Sequence, residues 1–182
     1  MSDIRLVEYR ALRETIARRG TVRMWVILAG ILAWCALALA LRESGAQGSL
    51  TLVPLLALAA TFEISFFIHR AIERVGRYLQ VYFEEDGQGW EHTAMAYGRK
   101  FPGGADPLFV TLFSVATIVN FLALLGSAPR RPGWMLLSLV AHLILGWRFF
   151  SARRLADGQR ALDLERFAGL KKDAAGGAMT SN

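Results

Sequence analysis

With a single cysteine, Cys35, among 182 residues, the chain has no means of building an intrachain disulfide framework. There is no G-x-S-x-G, no H-E-x-x-H, no C-x-x-C and no phosphate-cradling glycine loop, so the common spacings of nucleophilic, metal-dependent and nucleotide-dependent catalysis are missing. No enzyme activity and no cofactor are expected on these grounds. Only five prolines interrupt the chain, which leaves room for long uninterrupted helices. Charge is missing from long stretches. Met24–Leu41, Pro107–Pro129 and Pro132–Trp147 carry none, and Leu50–Ile68 carries only Glu63.

What is present follows from those gaps. About 20 apolar residues cross a hydrocarbon core of ~30 Å, and each of the four stretches is about that long. The spans are placed at about 23–41, 50–69, 108–127 and 133–150. Threading them in alternate directions puts the N-terminal leader, the 70–106 connection and the C-terminal segment on one side. Those three segments hold 18 of the 21 Lys and Arg residues, and only Arg42, Arg130 and Arg131 fall opposite. Such asymmetry is the positive-inside pattern, with both termini cytoplasmic. The size and the preference for Arg over Lys suit a multi-pass protein of a bacterial inner membrane. Trp25, Trp134 and Trp147 fall near span ends, where an amphipathic ring suits the headgroup layer. The net charge of +6 is spread over span flanks and forms no continuous patch, so anionic lipid is the expected counter-charge and nucleic acid is not.

Neither Leu32-Ala33-Trp34 before Cys35 nor Ala38-Leu39-Ala40 makes a credible processing site. Trp is too large beside a lipidated cysteine, and the apolar run is long and follows a charged leader. The first span is therefore expected to be retained. The leader reads as an amphipathic helix with Leu6, Tyr9, Leu12 and Ile16 on one side, and Gly20 is expected to loosen its join to the first span. The second helix is expected to continue to Glu85, ~54 Å at 1.5 Å per residue, and so to project beyond the membrane. Its outer part repeats Ile68, Ile72, Val75, Leu79 and Tyr82 at 4-3-4-3 spacing, the seam of one helix packing on another. Span four continues past Trp147 to about Lys172, weakened at Gly158. Residues 174–182 carry no large apolar side chain beyond one Met and are expected to be disordered. The fold class that results is all-α: residues 1–173 form a four-helix transmembrane bundle whose helices extend into a small cytoplasmic helical bundle.

Two groups of residues are candidates for function. Glu63, Ser114, Thr117, Asn120 and His142 fall at compatible depths and make a candidate intramembrane polar seam. An ionisable group there suggests a proton or ion path, and the alternative is hydrogen bonding that sets helix registry. The face Ile68, Ile72, Val75, Leu79 and Tyr82, together with Trp90, is the candidate assembly or partner face, with Trp90 as an anchor. Glu84, Glu85, Asp86, Glu91 and His92 crowd nine positions, but their spacing fits no EF-hand or zinc pattern, so no metal is expected. Salt bridges to Arg74, Arg77, Arg153 or Arg154 are the simpler use for them. The expected function is a non-catalytic interaction or accessory subunit that assembles through its cytoplasmic extensions, in the bilayer, with itself or another membrane protein. A homo-oligomeric channel built on Glu63 is the alternative.

Overall fold

A computed structural model of the chain describes residues 3–45, 50, 52–84, 87–101, 108–126 and 132–180. Five α-helices account for nearly all of them: α1 Asp3–Glu43, α2 Val53–Tyr82, α3 Trp90–Lys100, α4 Leu108–Leu125 and α5 Pro132–Thr180. No strand occurs among the described residues. Pro54 and Pro132 sit in the first turns of α2 and α5, where a missing N–H costs no helical bond, and no other proline falls in a described helix. That placement is why α1 and α5 reach 41 and 49 residues.

Two sequence expectations need correction. The join at Gly20 shows no interruption: α1 runs through it as one helix, because one glycine costs only ~1 kcal/mol against the many helical bonds around it. Nor does α5 stop near Lys172. The segment expected to be disordered from 174 is helical to Thr180, where Ala174, Ala175 and Ala178 favour continuation. The remaining two residues of that tail lie outside the described ones.

The helices α1, α2 and α5 are long and apolar enough to cross a membrane. The fourth apolar helix, α4, is shorter, with 18 residues spanning ~27 Å. The chain divides into two compact units. One, here the apolar unit, comprises residues 22–67 and 107–153. The other, the charged unit, comprises 1–21, 68–106 and 154–182 and holds every acidic residue except Glu43 and Glu63.

In the apolar unit the interior is drawn from α2, α4 and α5. Leu55, Leu58, Phe62 and Phe66 of α2 recur every three or four residues, as do Phe113 and Ala116 of α4 and Leu145, Phe149 and Ala152 of α5. The rings of Phe62, Phe113 and Phe149 form the centre, with centroids 4.6 to 5.8 Å apart and tilted or edge-on. The outward side chains are equally apolar, among them Leu56, Phe67, Ile118, Leu122, Leu143 and Phe150. A surface of that kind calls for an apolar solvent. Against this core α1 packs through Gly30, where a Cβ would stand 2.1 Å from Thr61 Oγ1 and 2.7 Å from its Cβ. The two helices touch there because position 30 has no side chain.

In the charged unit Leu79 is fully buried, and an aromatic group joins three helices around it. Tyr78 stacks on Tyr82 at 4.6 Å and meets Phe167 of α5 edge-on at 5.7 Å, while Tyr9 of α1 lies 5.7 Å from Phe83. Tyr9, Leu12 and Ile16 are the half-buried side of α1, the face its spacing predicted, with Leu6 at the margin. Two cations close the end of α2. Arg5 donates to the Tyr82 carbonyl, and Lys171 Nζ donates to the Val81 carbonyl at 2.6 Å. Those carbonyls have no intrahelical partner and carry the negative end of the helix dipole.

Gly30→Ala is expected to destabilise the apolar unit by ~1–3 kcal/mol through overpacking against Thr61, and Gly30→Ala with Thr61→Ala to recover much of the loss. Thermal unfolding of the four members of this cycle in detergent measures both.

Candidate functional site

The polar seam is built in part. Asn120 of α4 and His142 of α5 lie on the buried stripes described above, Asn120 seven residues beyond Phe113 and His142 three before Leu145. Their side chains meet, with Asn120 Nδ2 3.0 Å from His142 Nε2. At the other end of the imidazole, Nδ1 is 2.7 Å from the Ser138 carbonyl and 3.3 Å from the Ser138 hydroxyl. A carbonyl only accepts, so Nδ1 carries the proton and Nε2 accepts from the Asn120 amide. The Asn120 Oδ1 is then left to accept from Trp34 Nε1 of α1, at 3.0 Å. Each donor in this chain of contacts faces an acceptor, and three helices are joined by neutral groups alone.

That closure limits the chemistry. A second proton on His142 would place N–H against the amide NH2, and turning the amide to relieve it would set NH2 against the Trp34 N–H. The arrangement fits registry better than proton transfer. Trp34 was not among the sequence candidates. Its signal is a Trp in mid-span, where its one polar atom needs a partner.

The other three candidates stand apart from this network. Glu63 meets Arg148 of α5 instead, in a two-point fork: Nε to Oε1 at 2.7 Å and Nη2 to Oε2 at 2.9 Å. Arg148 also lies over the Phe66 ring at 5.0 Å and the Phe62 ring at 5.8 Å. The Glu63 side chain is 48% exposed, on the outside of the unit and not in its interior. Ser114 and Thr117 have inward hydroxyls with no hydrogen-bond partner among the described residues.

The candidate assembly face is placed differently from the expectation. Leu79 is fully buried, Tyr82 is stacked on Tyr78, and Ile68, Ile72 and Val75 are half-buried. The seam packs within its own unit at Leu79 and Tyr82. A 4-3 repeat records that a helix is covered, not whether the cover belongs to the same chain. Trp90 differs, being 68% exposed at the start of α3. Tyr97, seven residues on along α3, is 58% exposed on the same side, and Phe101, just past the helix end, is 46% exposed with its ring 4.7 Å from that of Tyr97.

The acidic segment works as a helix cap. The Glu84 carboxylate, 6% exposed, accepts the backbone N–H groups of Glu91 at 2.7 Å and His92 at 3.0 Å, the first free donors of α3. His92 Nδ1 reaches the same carboxylate at 2.8 Å. Burial raises the Glu84 pKa, but these N–H donors and the His92 ring outweigh it and hold it below the usual carboxylate value. Gly89, at φ 133°, permits the approach, since a Cβ there would fall 2.3 Å from the Glu84 carboxyl carbon.

The arginine that serves this segment is Arg13 of α1, 2.6 Å from Glu91 and 3.8 Å from Glu84. Among the described residues none of the four arginines expected from the sequence pairs with this segment. Of those, Arg77 pairs with Glu73 at 2.8 Å and with buried Asp163 at 3.5 Å, and Arg74 reaches Asp163 at 3.6 Å. Glu85 and Asp86 lie outside the described residues. Among the described residues no three His, Cys, Asp or Glu side chains converge as metal ligands.

Compared with family models, curated proteins and solved structures, the chain matches none of them.

Replacing Asn120 with Leu removes two interhelical bonds and is expected to cost ~1–3 kcal/mol, whereas Trp34→Phe removes one and costs less. Unfolding in detergent at constant pH separates the two. For Glu84 the folded pKa is the lower one, so its contribution is full above the ordinary carboxylate range and is lost as pH falls through the depressed value. The protection of the first-turn amides of α3 against hydrogen exchange, taken relative to the intrinsic rate at each pH, should therefore fall in acid, and Glu84→Gln should remove that acid limb.

Proposed function

We propose that the protein is an integral membrane, non-catalytic interaction subunit that engages another membrane protein through the outward face of α3. The observation that carries this reading is the exposed pair Trp90 and Tyr97 on a helix held in place by the Glu84 cap, with Phe101 against Tyr97 just past its end. Exposed aromatics on a preorganised helix suit an interface anchor, because little conformational entropy remains to be lost on binding. The Lys and Arg asymmetry of the flanks supports four spans in a bacterial inner membrane with both termini cytoplasmic. In that frame α3 belongs to the cytoplasmic extension.

A channel that conducts through Glu63 draws less support. Both carboxylate oxygens are engaged by Arg148, and the Asn120 and His142 side chains satisfy one another.

Native mass spectrometry of the protein extracted from its own membranes is the test. A second polypeptide in fixed stoichiometry is expected with the wild type and is expected to be lost in Trp90→Ala/Tyr97→Ala. Helicity and the unfolding midpoint should be unchanged, since both side chains face outward. A partner retained in full by that variant would overturn the assignment to α3.

A further inference from the structure

Where α2 and α5 meet in the charged unit, four arginines gather about two carboxylates. Arg77 lies deepest, its side chain 5% exposed. It donates from Nη2 to Glu73 at 2.8 Å, and its Nη1 stands 3.5 Å from Asp163. Arg160 of α5 reaches the same Glu73 oxygen at 3.5 Å, and Arg74 reaches the same Asp163 oxygen at 3.6 Å. Arg70 bonds to Gln159, which in turn donates to Asp163 at 2.9 Å. Among the described residues Asp157, the next carboxylate along α5, is exposed and enters none of these pairs. Four guanidinium groups therefore face two carboxylates, and positive charge is in excess.

Hydrogen-bond donors are in excess too. A guanidinium offers Nε and Nη2 side by side, and Arg148 shows that fork filled by both oxygens of one carboxylate. In Arg77 and Arg160 the fork is half filled. Each Nη2 is turned to the one Glu73 oxygen, while each Nε is buried and has no partner among the described residues. A buried N–H without an acceptor is unfavourable, and here two of them stand beside one shared oxygen.

We propose that this arginine group binds a phosphate group, presented by an anionic lipid headgroup or by a free phosphate-bearing solute. Arg77 forms the floor of the site, and Arg74 and Arg160, 55% and 35% exposed, form its rim. A phosphate group carries about one to two negative charges, enough to offset the excess, and its several oxygens accept from more than one guanidinium at once. Arg74 is six residues past Ile68, the end of the second apolar stretch, or ~9 Å along α2, which brings a headgroup phosphate within reach. The inference uses α2 and α5 and not α3, and it stands whether or not α3 engages a partner.

The test is thermal unfolding of the full-length protein under two pairs of conditions. In a maltoside detergent, inorganic phosphate is compared with chloride at equal ionic strength. In nanodiscs, phosphatidylcholine with phosphatidic acid is compared with phosphatidylcholine alone. A ligand that binds the folded state raises the unfolding midpoint, and a rise of a few degrees is expected. A rise with phosphatidic acid alone identifies the lipid as the source, and a rise with inorganic phosphate identifies a site open to solutes; either supports the proposal. Arg74→Gln/Arg160→Gln should lose most of the rise. Arg154→Gln/Lys172→Gln removes the same charge from exposed positions of α5 outside the group and should keep it. Each variant is compared with itself, so a lower starting stability leaves the reading intact. No rise with either probe, a full rise in Arg74→Gln/Arg160→Gln, or an equal loss in both double variants would each overturn the proposal.

Discussion

A helix closes its backbone hydrogen bonds within itself, and this constraint underlies everything else in the molecule. Because α1, α2 and α5 need no outside partner for their main chains, each contributes to an apolar unit and a charged one without interruption. What changes along them is only the chemistry of the side chains. In the apolar unit attraction comes from ring packing around Phe62 and from the close approach at Gly30. In the charged unit it comes from ion pairs, capped helix ends and one aromatic group.

Polar groups in the apolar unit are few and settle position. Dispersion between helices varies little with a small rotation, whereas the contacts among Trp34, Asn120 and His142 hold only when three helices have the right height and turn. Their contribution to stability is modest, and their contribution to uniqueness is larger. The Glu63 and Arg148 fork acts likewise between α2 and α5, and Arg148 spreads its charge over two phenyl rings as well.

Much of the fold is legible in the sequence because hydrophobic period and proline placement are local signals. The start of α3 at Trp90 and the end of α4 beside Gly126 follow from turn residues, and the inward side of α1 follows from Tyr9, Leu12 and Ile16. What failed depends on groups far apart in the chain. Arg13 pairs 78 positions away with Glu91, and Glu63 finds Arg148 85 positions away, and no spacing rule contains either. The 4-3 seam around Leu79 marks a covered helix face, and its period alone does not say which chain supplies the cover. The role of Glu84 was hidden for a different reason. Its neighbours suggest a cation site, and only the backbone of Gly89 shows that the carboxylate is turned towards amides.

The end of α2 has a consequence in time. One of its two cationic caps, Lys171, lies 90 positions after the carbonyl it serves. At ~5–20 residues per second, a ribosome takes ~5–20 s to make that interval. Throughout it the Val81 carbonyl is without its Lys171 donor, while Arg5 is already available to Tyr82. The junction that presents α3 thus passes through a half-capped stage during synthesis. Closure of the charged unit therefore waits for the synthesis of α5.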